Sequence, residues 1–242
     1  MQLIKLDAID STNEFLKGLS STLIQDSFTV VTAENQTNGK GQMGSVWNSE
    51  PGKNLIMSVL IRDFVTDINQ IFDINIVVSV SIIQVLVDLN IPELSIKWPN
   101  DIMSYDKKIG GILIENSIKS DGSINSIVGL GLNVNQMNFE NLPKASSLAV
   151  ICNTTFDKEE ILLKIIENLK LNIQNWKLNS DLFWSLYTNK LFKKGLPMPF
   201  ENQNLQNFMG IIQGVTPIGK LEILLDDDSI SEFDIKEIQM LY

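Results

Sequence analysis

The chain has 242 residues, 44% hydrophobic and 20% charged, enough apolar material for one full domain with a small appendage. A net charge of −10 argues against sequence-independent binding to nucleic acid, for which basic surface supplies most of the affinity. The absence of histidine excludes Ser/His/Asp triads, Cys/His dyads, histidine metal sites and imidazole acid–base catalysis together.

Ser11 followed by Glu14 has the spacing of a helix capping box, with Phe15, Leu16 and Leu19 as the buried stripe of a short helix. Thr29 to Ala33 reads as a strand. From Asn35 to Pro51 the chain turns polar and glycine-bearing, as a functional loop would, before Leu55 to Ile61 resumes a strand. Ile71 to Leu89 favours strand by propensity, yet its length predicts one buried helix with several apolar faces. The uncharged run between Asp73 and Asp88 is too short to span a bilayer, so no membrane segment is expected. Further strands are expected at Ser95 to Trp98, Gly111 to Glu115 and Asn125 to Asn133. Asp157 with Glu160 opens a long amphipathic helix through Ile161, Ile165, Leu169 and Ile173, and another helix is expected from about Asp181 to Phe192. After Lys193-Lys194-Gly195, short segments punctuated by Pro197, Pro199, Gly210, Gly214, Gly219 and Asp226-Asp227-Asp228 suggest a small antiparallel barrel.

Cys152 is the single cysteine, so no intramolecular disulfide forms; with no secretory apolar segment at the start, the expected compartment is the reducing cytoplasm. Without a histidine partner Cys152 reads as a structural thiol. Arg62 is the only arginine, which leaves cationic work on phosphate to lysine.

The chemistry concentrates in a few segments. Lys97-Trp98-Pro99-Asn100-Asp101 and Lys108-Ile109-Gly110-Gly111, running into Ile112-Leu113-Ile114, set cations and a carboxylate around a short polar excursion. In the loop Gln36 to Trp47, Gly39, Gly41 and Gly44 surround Lys40 with G-x-G-x-x-G spacing, but no helix pattern follows and no Gly-Lys-Ser/Thr closes it. Alone that loop reads equally well as a flexible connection. Gly129 and Gly131 interrupt a good strand, fitting either a bulge or a ligand lying against the backbone. Ser11 and Thr12 fit helix caps, Asn100 and Asp101 a turn, and Trp47 and Trp98 core residues, unless a site gathers them.

Taken in order, four blocks resemble the biotin protein ligase family over essentially the whole chain. They are Asp10-Ser11-Thr12-Asn13-Glu14; Gln36 through Trp47 with Asn54-Leu55; Lys97 through Asp101 with Lys108 through Glu115; and Val128 through Asn135. Gly210 to Val215, Gly219-Lys220-Leu221 and Phe233 to Ile238 look like the family's small SH3-like barrel. The resemblance implies an α/β (α+β) fold: a mixed β-sheet catalytic domain over residues 1–195, helices packed mainly on one face, and a C-terminal SH3-like β-barrel at residues 196–242. It implies a ligase that uses ATP and Mg2+ to convert biotin to biotinyl-5′-adenylate and then biotinylates a lysine of a biotin carboxyl carrier protein. Only ten residues precede the Ser-Thr-Asn block, so the type without a DNA-binding winged helix is expected, with no nucleic acid or membrane partner; a homodimer is compatible with the resemblance.

Carried over by matched position, Ser11, Thr12, Asn13, Gln36, Gly39, Lys40, Lys108, Gly110 and Gly111 are expected around biotin. Lys40, Gly41, Gln42, Met43, Gly44, Trp47, Lys97, Asn100 and Asn133 are expected around the nucleotide, with the metal ligands unassigned. Lys108, with Lys40 opposite, is the expected cation that brings biotin's carboxylate onto the α-phosphate, and Asp101 positions the nucleotide, the metal or the incoming amine. The family loop usually carries arginines where Lys40 and Gln42 stand, so a two-pronged phosphate grip is lost at one and charge at the other. Two rivals stay open: a lipoate or octanoate protein ligase, and a biotin- or adenylate-binding protein without turnover.

Overall fold

A computed structural model describes residues 2–22, 26–119 and 122–242. Seven strands make the larger sheet: β1 (Gln2–Ile9), β2 (Thr29–Gln36), β3 (Leu55–Arg62), β4 (Leu94–Lys97), β5 (Asp101–Ser104), β6 (Lys107–Ile118) and β7 (Ile124–Leu132). Their spatial order is β1-β2-β3-β7-β6-β5-β4. β1 runs parallel to β2 through the crossover helix α1 (Thr12–Thr22), whereas the other neighbours are antiparallel, so the sheet is mixed. The Ser11 hydroxyl accepts from the Glu14 backbone N–H at 3.4 Å, which starts α1 where the capping spacing expects it.

Period-two alternation gives the sheet two different faces. Val30, Val59, Leu130 and Ile112 point to the face covered by α2 (Asp73–Asp88) and α4 (Lys158–Asn189). Val31, Leu60 and Ile127 point to the other face, where α1 contributes Leu16. Beyond α1 this second face changes character. The row Ser58–Gly129–Leu113 and the row Ile56–Gly131–Gly111 cross β3, β7 and β6, placing small residues where a bulky core would otherwise stand. That bare strip is the floor of the site.

Burial overrides strand propensity in α2, which is apolar on nearly every side and packs between the sheet and α4. The helical stretch Ile68–Asp88 is long and apolar enough by composition to cross a membrane, but 72% of its most apolar window is buried inside the fold. Asn168 and Asn172 of α4 donate to the Ser81 carbonyl and hydroxyl at 3.0 and 2.9 Å, satisfying polar groups within this core.

The two helices expected between Asp157 and Phe192 run end to end as α4: the first is capped by the Asp157 carboxylate, and they meet at a kink where Asn179 leaves helical geometry (φ −137°, ψ 21°). No proline or glycine lies between Ile173 and Asp181, so the kink is made at Asn179 itself. The helix ends at Asn189, and Leu191 and Phe192 run beside β4 instead, with Ile96 exchanging backbone hydrogen bonds with Lys190 and Phe192. The pattern also passes over β1, β5 and the short helix α3 (Leu148–Cys152), each too short or too mixed to show a clear period.

The second sheet comprises β8 (Pro197–Asn202), β9 (Asn207–Val215), β10 (Leu221–Leu224), β11 (Ile230–Phe233) and β12 (Ile238–Met240), antiparallel throughout in the order β11-β10-β9-β8-β12. It fits an SH3-like barrel. Phe200, Ile212, Leu221 and Met240 extend the main core into it. The Trp98 indole donates to the Gly219 carbonyl at 2.8 Å, and the absent Gly219 side chain makes room for Phe72, where a Cβ would sit 2.5 Å from the ring. Gly219 has φ +93°, so the close fit and the turn both require glycine.

Candidate active site

A cavity of about 660 Å³ lies over the glycine strip, walled by α1, the Gln36–Trp47 loop, the β4–β5 turn and the barrel. One end is a buried polar cluster. Ser11, Thr12 and Asn13 are each no more than 3% exposed. The Thr12 N–H and hydroxyl both donate to Gln36 Oε1, at 2.8 and 3.0 Å, and the Ser58 hydroxyl lies 2.7 Å from Thr12 Oγ1 and 2.6 Å from Asn13 Oδ1. Asn13 Nδ2 donates to Glu115 at 2.9 Å, which fixes the amide so that Oδ1 turns toward Gly129. A Cβ on Gly129 would sit 2.4 Å from that oxygen. Donors and acceptors held this rigidly suit a small planar polar ligand group.

The charged centre comes from the β4–β5–β6 ladder. Lys108 Nζ sits 2.6 Å from Asp101 Oδ1, and both side chains are partly shielded from water. A register shift between Ile102 and Met103 re-aims this part of β5 against β6. The Lys108 backbone is clamped on its other side, donating to the Lys144 carbonyl and accepting from Ser146. Lys97 pairs with Asp101 across the β4–β5 hairpin, and its Nζ lies 5.3 Å from the centre of the Tyr242 ring. Burial pulls the Lys97 ammonium below the ordinary lysine range; the neighbouring Asp101 opposes that shift, while Lys108 and Lys144 add to it.

The Gln36–Trp47 loop folds as a small hairpin of its own. Gly41 N–H donates to the Ser45 carbonyl and Trp47 N–H to the Gly39 carbonyl, at 2.8 and 2.9 Å. A Cβ at Gly39 would meet the Trp47 carbonyl and one at Gly41 the Ser45 hydroxyl, each at 2.4 Å, so these glycines serve the packing of the hairpin itself. The hairpin delivers Trp47 onto the strip: its indole covers Gly111 and Gly131, with Lys108 Nζ 5.7 Å from the ring centre. The indole Nε1 is buried with no hydrogen-bond partner. Lys40, exposed at the rim, pairs with Glu14 at 2.7 Å; that hydrogen bond raises the lysine above, and lowers the carboxyl below, its usual range.

A profile of the Biotin/lipoate A/B protein ligase family matches residues 6–133, more than half of the chain. The chain belongs to that family. It is similar to the bifunctional ligase/repressor BirA of Bacillus spizizenii, with 30% identity over 169 residues, 68% of this chain and 51% of the relative. It thus spans about half the length of that relative. Biotin–[acetyl-CoA-carboxylase] ligase of Mycobacterium tuberculosis is 25% identical over 214 residues, 87% of this chain and 79% of the relative. Biotin protein ligase from Aquifex aeolicus, solved in complex with biotin and ATP, superposes with a TM-score of 0.80 at 27% identity, covering 99% of this chain and 98% of that one.

In this member of the biotin/lipoate ligase family, Ser11, Thr12, Asn13, Gln36, Lys40, Gly41, Gln42, Met43, Trp47, Lys97, Asn100, Asp101, Lys108 and Gly111 come together around one cavity. Gly39, Gly44 and Gly110 do not line it: Gly39 and Gly110 are buried, and Gly44 is exposed at the surface of the loop. Asn133, expected at the adenine, is 5% exposed and does not line the cavity; its amide donates to the Ser146 carbonyl at 3.0 Å. That bond supports the 144–146 segment that clamps Lys108, so Asn133 acts on the site at one remove. Asn100 faces the cavity yet spends its amide on the Ile112 carbonyl at 2.6 Å, tying the turn to β6.

Sequence reasoning in the family's terms passed over Ser58 and the barrel residues Glu201, Asn202, Lys236 and Gln239, and gave Glu115 a place in a motif block but no role. Ser58 had a signal, being the lone polar residue in Leu55–Arg62 ahead of its terminal arginine. The barrel residues had none, because only the docking of the two sheets brings them to the cavity.

Proposed function

We propose that this chain is a biotin protein ligase, with residues 1–195 as its catalytic domain and residues 196–242 as the barrel. The observation that carries the proposal is a single cavity joining a rigid uncharged polar end, made by Thr12, Asn13 and Gln36 and braced from beneath by Ser58, to a cationic centre at Lys108. A ureido ring suits the first, and a carboxylate meeting a phosphate suits the second.

In the first half-reaction a biotin carboxylate oxygen bonds to the α-phosphorus of ATP, the bond to the bridging oxygen breaks, and pyrophosphate leaves. The carboxylate is already ionised at neutral pH, so no base is needed and the absence of histidine is no obstacle. What the step needs is positive charge between two anions. Lys108 supplies it, with Lys40 closing from the rim after release from Glu14. Among the described residues no three His, Cys, Asp or Glu side chains group to hold a metal. Phosphate oxygens would therefore supply most ligands to Mg2+ accompanying ATP, with Asp101 the carboxylate beside them. In the second half-reaction a lysine amine of a carboxyl carrier protein attacks the acyl carbon, and AMP leaves. At pH 7.4 only about one such amine in a thousand is neutral, and Asp101 is the group assigned to take its proton.

Biotin-dependent ATP–pyrophosphate exchange, followed by labelling of a purified biotin carboxyl-carrier domain, tests this reading. Both activities are expected with biotin. Exchange with lipoate but not biotin would replace it with the lipoate ligase reading, and binding without exchange would leave only a binding protein.

A further inference from the structure

The four lysines that line the cavity differ in their surroundings. Lys40 is paired with Glu14 and Lys108 with Asp101, so each enters the site with its charge already opposed. Lys97 lies beneath the Tyr242 ring, in surroundings that disfavour its charge. Lys236, from the β11–β12 connection of the barrel, has no ion pair among the described residues. Its ammonium instead donates to the Met43 carbonyl at 2.9 Å, at the crown of the loop and next to uncharged Gln42. Its backbone has φ +72°, a region in which a non-glycine residue is strained. The fold thus holds an exposed cation over the mouth of the cavity at a backbone position better suited to glycine.

We propose that Lys236 supplies, from the barrel, the phosphate-binding cation that the loop lacks at Gln42, and that it takes the β- and γ-phosphates of the nucleotide and the departing pyrophosphate. The inference rests on the ligase reading above and adds a residue to it. A triphosphate brings several negative charges to a loop whose one cation, Lys40, is held by Glu14. A neutral carbonyl is a weak competitor for an ammonium, so Lys236 transfers from Met43 to a phosphate oxygen at little cost. The contact also couples the barrel to the loop that carries Trp47.

Two variants separate charge from tethering. Lys236→Gly removes the side chain at a backbone geometry glycine prefers, so it is expected to fold at least as well as the parent. Lys236→Gln keeps a donor for the Met43 carbonyl and loses the charge. Binding of ATP and of inorganic pyrophosphate, each with Mg2+, is measured by calorimetry on the full chain, alongside biotin affinity. Both variants are expected to bind ATP and pyrophosphate about tenfold more weakly, the scale of one charge-assisted hydrogen bond, with biotin affinity unchanged. Wild-type affinity in Lys236→Gln would reduce the residue to a loop tether and overturn the proposal, as would unchanged affinity in both variants. Should the wild-type chain bind ATP but fail to activate biotin, the ligase reading falls and the ATP comparison still decides the role of Lys236. A wild-type chain that binds neither ATP nor pyrophosphate overturns both.

Discussion

Asp101 and Lys108 lie on adjacent strands with Oδ1 and Nζ 2.6 Å apart, so the cation assigned to catalysis is held in place by a carboxylate within the cavity. Lys108→Ala removes the charge and also leaves Asp101 to repel both anionic substrates. Biotin-dependent pyrophosphate exchange is expected to fall by about 100-fold or more, the scale for losing one preorganised electrostatic partner. Unchanged exchange in a folded Lys108→Ala protein would remove the basis of the mechanism.

Asp101→Asn separates the two halves of the reaction. The amide keeps an oxygen for Lys108 but cannot accept a proton from the incoming ammonium. Single-turnover transfer from preformed biotinyl-5′-adenylate to the carrier is expected to slow about 100-fold more than adenylation, the lower end of the range for loss of a general base. Equal slowing of both steps would confine Asp101 to holding Lys108.

Gly131 is required by Trp47, because a Cβ at this position would sit 2.4 Å from the indole Cε2. Gly131→Ala is therefore expected to destabilise the fold by about 1–3 kcal/mol through overpacking. In a Trp47→Ala background the same substitution is expected to be nearly neutral. A double-mutant cycle by chemical denaturation measures the difference, and a cycle with no coupling would show that Trp47 does not rest on this glycine.

The ends of the elements and the blocks of the site were legible in the chain for different reasons. Capping at Ser11, the short apolar run at Leu55–Arg62 and the length of the apolar run in α2 are local signals, and the structure follows them. The two helices of α4 were legible on either side of Asn179, but their meeting end to end at a kink was not, because neither proline nor glycine marks the joint. The loop glycines were visible but their purpose was not: Gly39 and Gly41 fit the hairpin's own backbone, a constraint that appears only once Ser45 and Trp47 fold back. Asn133 sits in a motif block and still points away from the cavity, since the alternation of β7 and its exit turn decide its direction. Barrel residues at the cavity depend on docking through Trp98 and Gly219, which no local pattern encodes.

Lys97 gives the fold a pH dependence of definite sign. Its pKa is lowered on folding, chiefly by burial, so the unfolded chain binds the proton more tightly than the native one. Stability therefore rises as pH climbs from the depressed native value toward the ordinary lysine value, where the unfavourable buried charge has been shed. Lys97→Met is expected to abolish that alkaline rise while raising stability at neutral pH. Thermal denaturation between neutral pH and about pH 10.5 compares the two proteins; parallel curves would mean that Lys97 carries no such penalty.

Ser58 ties the polar end of the cavity to the sheet, since its one hydroxyl proton serves a site with two close oxygens, Thr12 Oγ1 at 2.7 Å and Asn13 Oδ1 at 2.6 Å. When Ser58 donates to Asn13, the Thr12 hydroxyl turns to donate to Ser58, and Gln36 Oε1 keeps the Thr12 backbone N–H. The orientation of three groups assigned to biotin thus rests on one buried serine that is fully shielded from solvent. Ser58→Ala returns the Thr12 hydroxyl to Gln36 Oε1 and leaves Asn13 Oδ1 short of a donor where water has little access. A loss of about 1–3 kcal/mol is expected, the usual range for an unsatisfied buried polar group, seen as a lower urea midpoint at unchanged slope. Biotin affinity is expected to weaken while ATP affinity holds, because the disturbance is confined to the end of the cavity away from Lys108. Equal weakening toward both ligands would instead mean that the substitution loosens the sheet as a whole.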